Sequence, residues 1–358
     1  MKHNFGLAKL LFVIRKTLSF DGGFVKLQFV ILITLFFLTF FSVVHGFSKV
    51  RIPTKQHPTE FYANHLQDDL RLTFKEAMLK AKKSIYLIIY SLTDNQLISI
   101  LRNKANEGVD ITIICDSEAS KSCLQKLGDK IKVVSRKPKG IMHMKILVID
   151  EVRAWIGSAN MTTESLRFHG NLVLGFYHPK LCQFLIQKAG NMDEEFPCQN
   201  FQAGAQKIEF WTLPNEEEAP LKVKKMIDQA KKTIRVAMFT WTRNDFADAL
   251  ISAQKRGVDV RVVMDRYSGK GANRYVLEKL AKAKIPVSLS QGSALLHYKM
   301  MVIDNQILIN GSANWTKSAF CNNDDCFLIL EKLDRSQKKM IQNLWEVIQE
   351  DSTPANAA

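Results

Sequence analysis

Two stretches of this chain repeat one another at a constant spacing of 149 residues. KKSIYLIIYSLTDNQLISILRNKANEGVDITIICDSE at 82–118 matches KKTIRVAMFTWTRNDFADALISAQKRGVDVRVVMDRY at 231–267. Identities include Lys82/Lys231, Ile85/Ile234, Thr93/Thr242, Leu101/Leu250 and the Gly-Val-Asp triplets at 108–110 and 257–259. Each copy reads as an apolar run, an amphipathic helix and a second apolar run, which predicts a strand–helix–strand unit. Runs this uniformly apolar belong to strands covered on both faces. Farther on, HMKILVIDEVRAWIGSAN at 143–160 matches HYKMMVIDNQILINGSAN at 297–314, now 154 residues apart. The extra residues fall around 268–273, in a loop, where insertion is tolerated. A duplication this long describes one two-copy α/β protein and not a solenoid of short repeats. The seam lies near 198–204, where FPCQNFQAG breaks both periodicities. The expected organisation is an N-terminal segment at 1–50, copies at 51–203 and 204–350, and a tail at 351–358.

The partner class follows from charge. Among 358 residues there are 50 Lys and Arg against 35 Asp and Glu, a net charge of +15. Residues 1–60 hold +6 of this, which leaves +9 on the body. A body that basic calls for a polyanion, either an anionic phospholipid surface or nucleic acid, and no obligate protein partner is evident. With 46% hydrophobic and 24% charged residues, the composition excludes disorder and collagen-like repeats. The six Cys form no CxxC pair and have no neighbouring His pair, so no metal site and no cofactor are expected.

The N-terminus bears on the compartment. FVILITLFFLTFFSVV at 29–44 carries no charge, and Leu27 and Gln28 extend it to the lower edge of a bilayer-spanning helix. Lys2, Lys9, Arg15, Lys16 and Lys26 precede it with a single Asp21. That bias puts the N-terminus in the cytoplasm and the body across the membrane. The expectation is an uncleaved transmembrane signal anchor with an exported catalytic body. Cleavage near Val44-His45-Gly46 would instead release a secreted protein. Export permits disulfide pairing among Cys115, Cys123, Cys182, Cys198, Cys321 and Cys326.

The matched blocks carry the chemistry. Each contains His-x-Lys-x4-Asp: His143, Lys145 and Asp150, then His297, Lys299 and Asp304. ILVI and MMVI between Lys and Asp place the motif on a buried strand, where residues i and i+2 share a face. His143 and Lys145 therefore project together, as do His297 and Lys299, while Met144 and Tyr298 point away. A buried ammonium beside an imidazole is costly unless an anion sits between them. Gly157-Ser158-Ala159-Asn160 and Gly311-Ser312-Ala313-Asn314 follow a short hairpin. The Gly reads as a tight turn. Ser158, Asn160, Ser312 and Asn314 read as uncharged hydrogen-bond groups for phosphate oxygens. Arg136-Lys137-Pro138-Lys139-Gly140 reads equally as a basic lip or a solvated loop, and Trp241 and Trp315 as packing residues.

With this duplicated motif the chain resembles the phospholipase D superfamily over roughly residues 60–350. The second copy looks most like the branch of bacterial endonucleases and mitochondrial cardiolipin hydrolase. The resemblance implies two similar α/β halves with mixed β-sheets flanked by helices, packed about a pseudo-twofold axis. Their single active site takes one His-Lys-Asn set from each half. It implies a metal-independent, two-step phosphodiester cleavage. One His attacks phosphorus and forms a phosphohistidine, and the other protonates the leaving alcohol and then activates water. Lys145, Lys299, Asn160 and Asn314 would surround the phosphate oxygens. Asp150 and Asp304, grouped with the catalytic motif, would brace the site. Such proteins often carry an acidic residue eleven positions after the GSxN Asn to orient the motif His. Here that residue is Asp325 in the second copy and the amide Asn171 in the first. An Asp behind a His raises its basicity, whereas an Asn only orients it. Members with this asymmetry carry the nucleophile on the amide side, which assigns attack to His143 and acid–base work to His297.

Phospholipid hydrolysis explains the apolar N-terminal stretch, the basic surface and the motifs together. An endonuclease acting by the same mechanism explains the motifs and the charge. A cardiolipin-synthase-like transferase would show two membrane segments, and Phe5 to Ile14 is too short to be the second. Intact motifs in both copies argue against a non-catalytic membrane scaffold.

Overall fold

Side-chain alternation along the two motif strands sets the layout of the molecule. The computed structural model describes residues 50–194, 196 and 198–355, together with 31, 33 and 34. The anchor expected at 29–44 therefore lies outside the described residues, Ile31, Ile33 and Thr34 excepted, as does the alternative cleavage site. Among the described residues no helix is long and apolar enough to cross a membrane. From Ile52 onward the chain forms one compact unit.

In the first half, the strands are β1 (Thr59–Ala63), β2 (Ser84–Ile89), β3 (Asp110–Asp116), β4 (Lys132–Arg136), β5 (Lys145–Ile149), β6 (Arg153–Gly157) and β7 (Leu172–Tyr177). They form one sheet in the order β1-β7-β6-β5-β2-β3-β4. Strands β2, β3 and β4 run parallel, and the other neighbours are antiparallel. The second half brings β8 (Gln199–Ala203), β9 (Gln206–Leu213), β10 (Thr233–Met238), β11 (Asp259–Met264), β12 (Val287–Ser290), β13 (Lys299–Ile303), β14 (Ile307–Gly311), β15 (Asp325–Glu331) and β16 (Ser352–Pro354). Its order, β16-β12-β11-β10-β13-β14-β15-β9-β8, repeats the first sheet and adds a strand at each edge.

Both motif strands are apolar on both faces because each separates two cores. Ile146 and Val148 of β5 join Met300 and Val302 of β13 in a core shared by the halves. Leu147 and Ile149 face the opposite way, against Phe74 and Leu97 of the first half's helices Leu70–Leu79 and Asn95–Asn106. Met301 and Ile303 do the same with Val223 and Phe246 in the second half.

The structure corrects several sequence expectations. Strand β8, assigned to the first copy, belongs to the second sheet as the partner of β9. Gln199, Asn200 and Gln202 make it too polar to read as a strand, although it is an edge strand with one face open to solvent. The expected tail likewise supplies β16, which pairs with β12. Gly157 and Gly311 do not make a tight turn. Each ends its strand, and a Cβ there would lie 2.3 Å from the Leu172 carbonyl oxygen or 2.4 Å from that of Cys326. Close approach of the next strand is what requires glycine. Cys182, Cys198, Cys321 and Cys326 carry free thiols.

Asp150 and Asp304 are also displaced from the chemistry. They open the β5–β6 and β13–β14 hairpins, where Asp150, Glu151, Asp304 and Asn305 all take left-handed φ values between 51° and 60°. Asn and Asp tolerate that region because a short polar side chain bonds locally. The Asp150 carboxylate accepts the backbone N–H groups of Lys82, Lys83 and Ser84, and Asp304 those of Lys231, Lys232 and Thr233. Four residues lie between each Asp and its motif Lys, so the two are five steps or about 17 Å apart along the strand. These carboxylates pin the start of β2 and β10. Asp304→Ala should therefore lower stability by about 1–2 kcal/mol, because part of the bonding is solvent-exposed. Turnover per folded molecule should stay within about threefold, read by urea unfolding beside steady-state kinetics. A collapse of turnover at unchanged stability would return Asp304 to the catalytic group.

Candidate active site

Short segments just outside the sheet ladders join the two halves. Met142, before β5, bridges to Asp324, before β15, and Gly170, before β7, bridges to Leu296, before β13. Shifted by 154 residues, one bridge becomes the other, which is the signature of a pseudo-twofold relation. The His143 N–H donates to the Asp324 carbonyl at 2.7 Å, and the Gly170 N–H to the Leu295 carbonyl at 2.8 Å.

This exchange puts each motif histidine over the other half's orienting residue. His143 Nδ1 lies 2.8 Å from Asp325 Oδ1, and His297 Nδ1 lies 3.1 Å from Asn171 Oδ1. Pairing within a copy, the premise of the sequence argument, is thereby replaced by pairing across copies. Asn171 Nδ2 donates to the carbonyls of Ser165 and His169, so its oxygen must face His297. His297 then carries its hydrogen on Nδ1, and Nε2 is left with the lone pair when the ring is neutral. A carboxylate at the same position of His143 leaves that ring's Nε2 equally open.

Ser158 and Ser312 are not phosphate ligands. Both are fully buried; Ser158 Oγ donates to Asn171 Oδ1 at 2.9 Å and Ser312 Oγ to Asp325 Oδ1 at 2.6 Å. They fix the groups that fix the histidines. Asn160 and Asn314 remain partly exposed. Asn160 Oδ1 has no partner among the described residues, whereas Asn314 Oδ1 accepts the Thr240 N–H.

The lysines begin β5 and β13, and each Nζ donates to the carbonyl of its own motif His. Met144 and Tyr298 turn into the shared core, as the alternation predicts. Sequence reasoning missed two pairs of supporting residues. Tyr90 and Phe239 each lie under a His-Lys pair: Lys145 Nζ is 5.1 Å from the Tyr90 ring centre and Lys299 Nζ 4.7 Å from that of Phe239. Asp116 and Asp265 each accept the N–H of the residue before the histidine, Met142 and Leu296. The signal was available, since both pairs stand 149 residues apart at strand ends. Arg136 is engaged, bridging Asp324 at 2.8 Å and Asp193 at 2.6 Å, while Lys137 and Lys139 are exposed. Trp241 and Trp315 are buried edge to face, 4.5 Å apart.

Electrostatically the site is a crowd of like charges. His143, Lys145, His297 and Lys299 are each at most 6% exposed. Burial pushes Lys145 down to about 7, against the opposing pull of Asp325. Burial and then the Lys145 charge hold Lys299 well below the usual ammonium range. His297 is lowered most clearly among the imidazoles, by burial and then by Lys299, Lys145, His143 and His169. His143 is lowered by burial, but Asp325 opposes the shift. Burial would raise the Asp325 carboxyl; His143, Lys145 and Ser312 outweigh it and keep it ionised. Among the described residues no group of three or more His, Cys, Asp or Glu is placed to hold a metal ion.

Comparison with known proteins places the chain among relatives. The family described as "Cardiolipin synthase, PLD-like domain" matches residues 74–192 and 223–350. A mitochondrial cardiolipin hydrolase of Chlamydomonas reinhardtii is 28% identical over 160 residues, 43% of this chain and 70% of its own length. A phospholipase D of Rickettsia felis is 34% identical over 105 residues, 29% of this chain and 52% of its own length. The chain thus spans between half and 70% of these two relatives. A phosphatidylserine synthase structure from Haemophilus influenzae matches with a TM-score of 0.66 at 12% identity, over 87% of this chain and 90% of that one. That likeness shows the two-half fold.

Because burial pushes Lys145 down to about 7, an anion bound by the lysines should draw protons in. Sulfate, which does not titrate in this range, should bind about tenfold or more weakly at pH 8.5 than at pH 6. Calorimetry in buffers of different ionisation enthalpy should report proton uptake at pH 7.5. Affinity independent of pH, with no buffer-dependent heat, would contradict the like-charge description.

Proposed function

The chain belongs to the phospholipase D superfamily, and from that membership we propose that it hydrolyses phosphodiesters through a phosphohistidine at the joint site of its two halves. The observation that carries this reading is the buried pair of ammonium–imidazole sets, arranged crosswise against Asp325 and Asn171. Such a cluster is unfavourable when empty and is completed by a tetrahedral anion.

His143 is the nucleophile. Asp325 behind Nδ1 strengthens Nε2 as an attacking lone pair and offsets positive charge on the phosphorylated ring. The ester P–O bond breaks as the leaving oxygen takes the proton from His297 Nε2. Asn171 offers the His297 imidazolium no countercharge, which makes that proton easier to give. Water then attacks phosphorus, its proton returns to His297, and the P–N bond to His143 breaks. Lys145, Lys299 and the amides of Asn160 and Asn314 hold the phosphate oxygens. The assignment matches the sequence argument for a different reason: the carboxylate acts on the histidine of the opposite half.

The substrate in this reading is a phospholipid, cleaved on its head-group side to leave phosphatidic acid. Phe168, 60% exposed, and Ile141, 37% exposed, flank the site segments, with Lys137 and Lys139 beside Ile141. An apolar rim with basic neighbours suits an anionic bilayer surface. The apolar stretch at 29–44 would tether the exported body there and concentrate it at head groups. One observation favours a second reading, an endonuclease: Tyr267 and Tyr275 are 53% and 78% exposed beside Arg266 and Arg274, a pattern that suits base stacking.

Assaying the full chain on vesicles of phosphatidylcholine, phosphatidylethanolamine and cardiolipin, and on single- and double-stranded DNA and RNA, separates the two. Phosphatidic acid should appear, undiminished by EDTA, because the lysines supply the positive charge. Cut nucleic acid beside untouched lipid would establish the endonuclease instead, and loss on chelation restored by Mg²⁺ or Zn²⁺ would contradict the site chemistry. For the roles, His297→Asn should accumulate an acid-labile, base-stable phosphoenzyme that His143→Asn cannot form. Labelling in the opposite variant would reverse the assignment.

A further inference from the structure

We propose that His169 is a third histidine of the site, a positioning residue that passes protons between solvent and His297 on the leaving-group side. This rests on the reading of His297 as the acid–base group.

The His169 ring centre lies 6.2 Å from that of His297, tilted by 44°. That separation is one a single water bridges. His297 is buried, whereas His169 beside it is partly exposed and can exchange protons with solvent. Its place is fixed twice. The His169 carbonyl accepts from Asn171 Nδ2 at 3.2 Å, the same amide that orients His297. The next residue, Gly170, is tied to the Leu295 carbonyl, and a Cβ there would lie 2.7 Å from Tyr298 and 2.8 Å from His65. The turn that presents His169 therefore has little room to shift.

The pseudo-twofold supplies an internal control. The position matching His169 is Asn323, whose side chain bonds to the Ile141 N–H, Ser318 and Asp325. Among the described residues, only the histidine that lacks a carboxylate has a third imidazole beside it.

The chemistry explains the asymmetry. His143 exchanges a phosphoryl group and has Asp325 to balance its charge. His297 must hold a proton when the ester oxygen leaves, and Asn171 blocks Nδ1 without being able to take a proton. Nε2 is then the one port of the ring. When the anionic product departs, Lys299, Lys145 and His143 favour loss of that proton. The proton that water returned to His297 is then lost as the product leaves, and it must be replaced before the next ester oxygen departs. The charged and titratable groups acting on His169 are Glu164 on its own segment, Asp265 from the other half, and Lys299 and His297. Burial and Lys299 lower it while Glu164 and Asp265 hold it up. In the relay, a protonated His169 gives N–H to a water, that water gives a proton to His297 Nε2, and His169 recovers one from buffer. No other bond changes.

The test uses the full chain and two diesters. One is the alkyl ester cleaved in the substrate panel, whose alcohol must be protonated to leave. The other is bis(p-nitrophenyl) phosphate, whose phenolate leaves without help. His169→Ala should lose about tenfold or more in kcat on the alkyl ester, keep kcat on the nitrophenyl ester within about threefold, and regain alkyl-ester activity as imidazole buffer is added. His169→Gln, which keeps a polar side chain on the turn, should show the same split and guards against a folding defect in the alanine variant. Equal losses on both esters, no loss, or no imidazole rescue would overturn the relay. Phosphoenzyme accumulating in His143→Asn would instead overturn the acid–base reading beneath it, so the two failures are distinguishable.

Discussion

The hydrogen bond from His143 to Asp325 spans the two halves, and the site depends on it. It stands where two imidazoles and two lysine side chains crowd together in a largely buried place. A buried cation cluster with no anion near it would force its own neutralisation. Asp325 keeps His143 aligned, and Ser312 behind it keeps the carboxylate aligned. Strand β15 carries Asp325 into place only because Gly311 lets β14 and β15 approach at backbone distance. The chain of dependence thus runs from a missing Cβ to a hydroxyl, to a carboxylate, to an imidazole.

Much of this was legible in the sequence, and the rest was hidden for identifiable reasons. The spacing of His143 and Lys145, repeated at His297 and Lys299, gives the shared face of a strand without further information. The double burial of ILVI and MMVI gives the layered architecture. Which half orients which histidine could not be read, because local spacing ties Asn171 to His143 while the backbone exchange of Met142 with Asp324 decides otherwise. Ser158 and Ser312 misled for a related reason: a hydroxyl two residues before a functional amide looks like a ligand until its burial is known. Gln199 to Gln202 failed as a strand because edge strands need little apolar surface. Tyr90, Phe239, Asp116 and Asp265 were within reach, since the 149-residue offset already aligned them.

The substrate question turns on surface and not on the core. The His and Lys groups of the proposed reaction are at most 6% exposed, whereas the residues that would meet a lipid or a base are exposed side chains among the described residues. Phe168, Ile141, Tyr267 and Tyr275 are exposed and stand apart from the buried His and Lys groups. Specificity in such an arrangement lives in loops that the catalytic framework does not need for its own stability.

Crosswise orientation also bears on the value of a single covalent chain. Two identical copies pairing through these same bridges would have the same residue behind both imidazoles, so neither ring could be biased by its partner toward attack or toward proton transfer. Joining the copies end to end lets position 325 be a carboxylate while position 171 is an amide. Symmetry is kept in the motif strands and broken behind the two imidazoles, which lets otherwise equivalent rings take different roles.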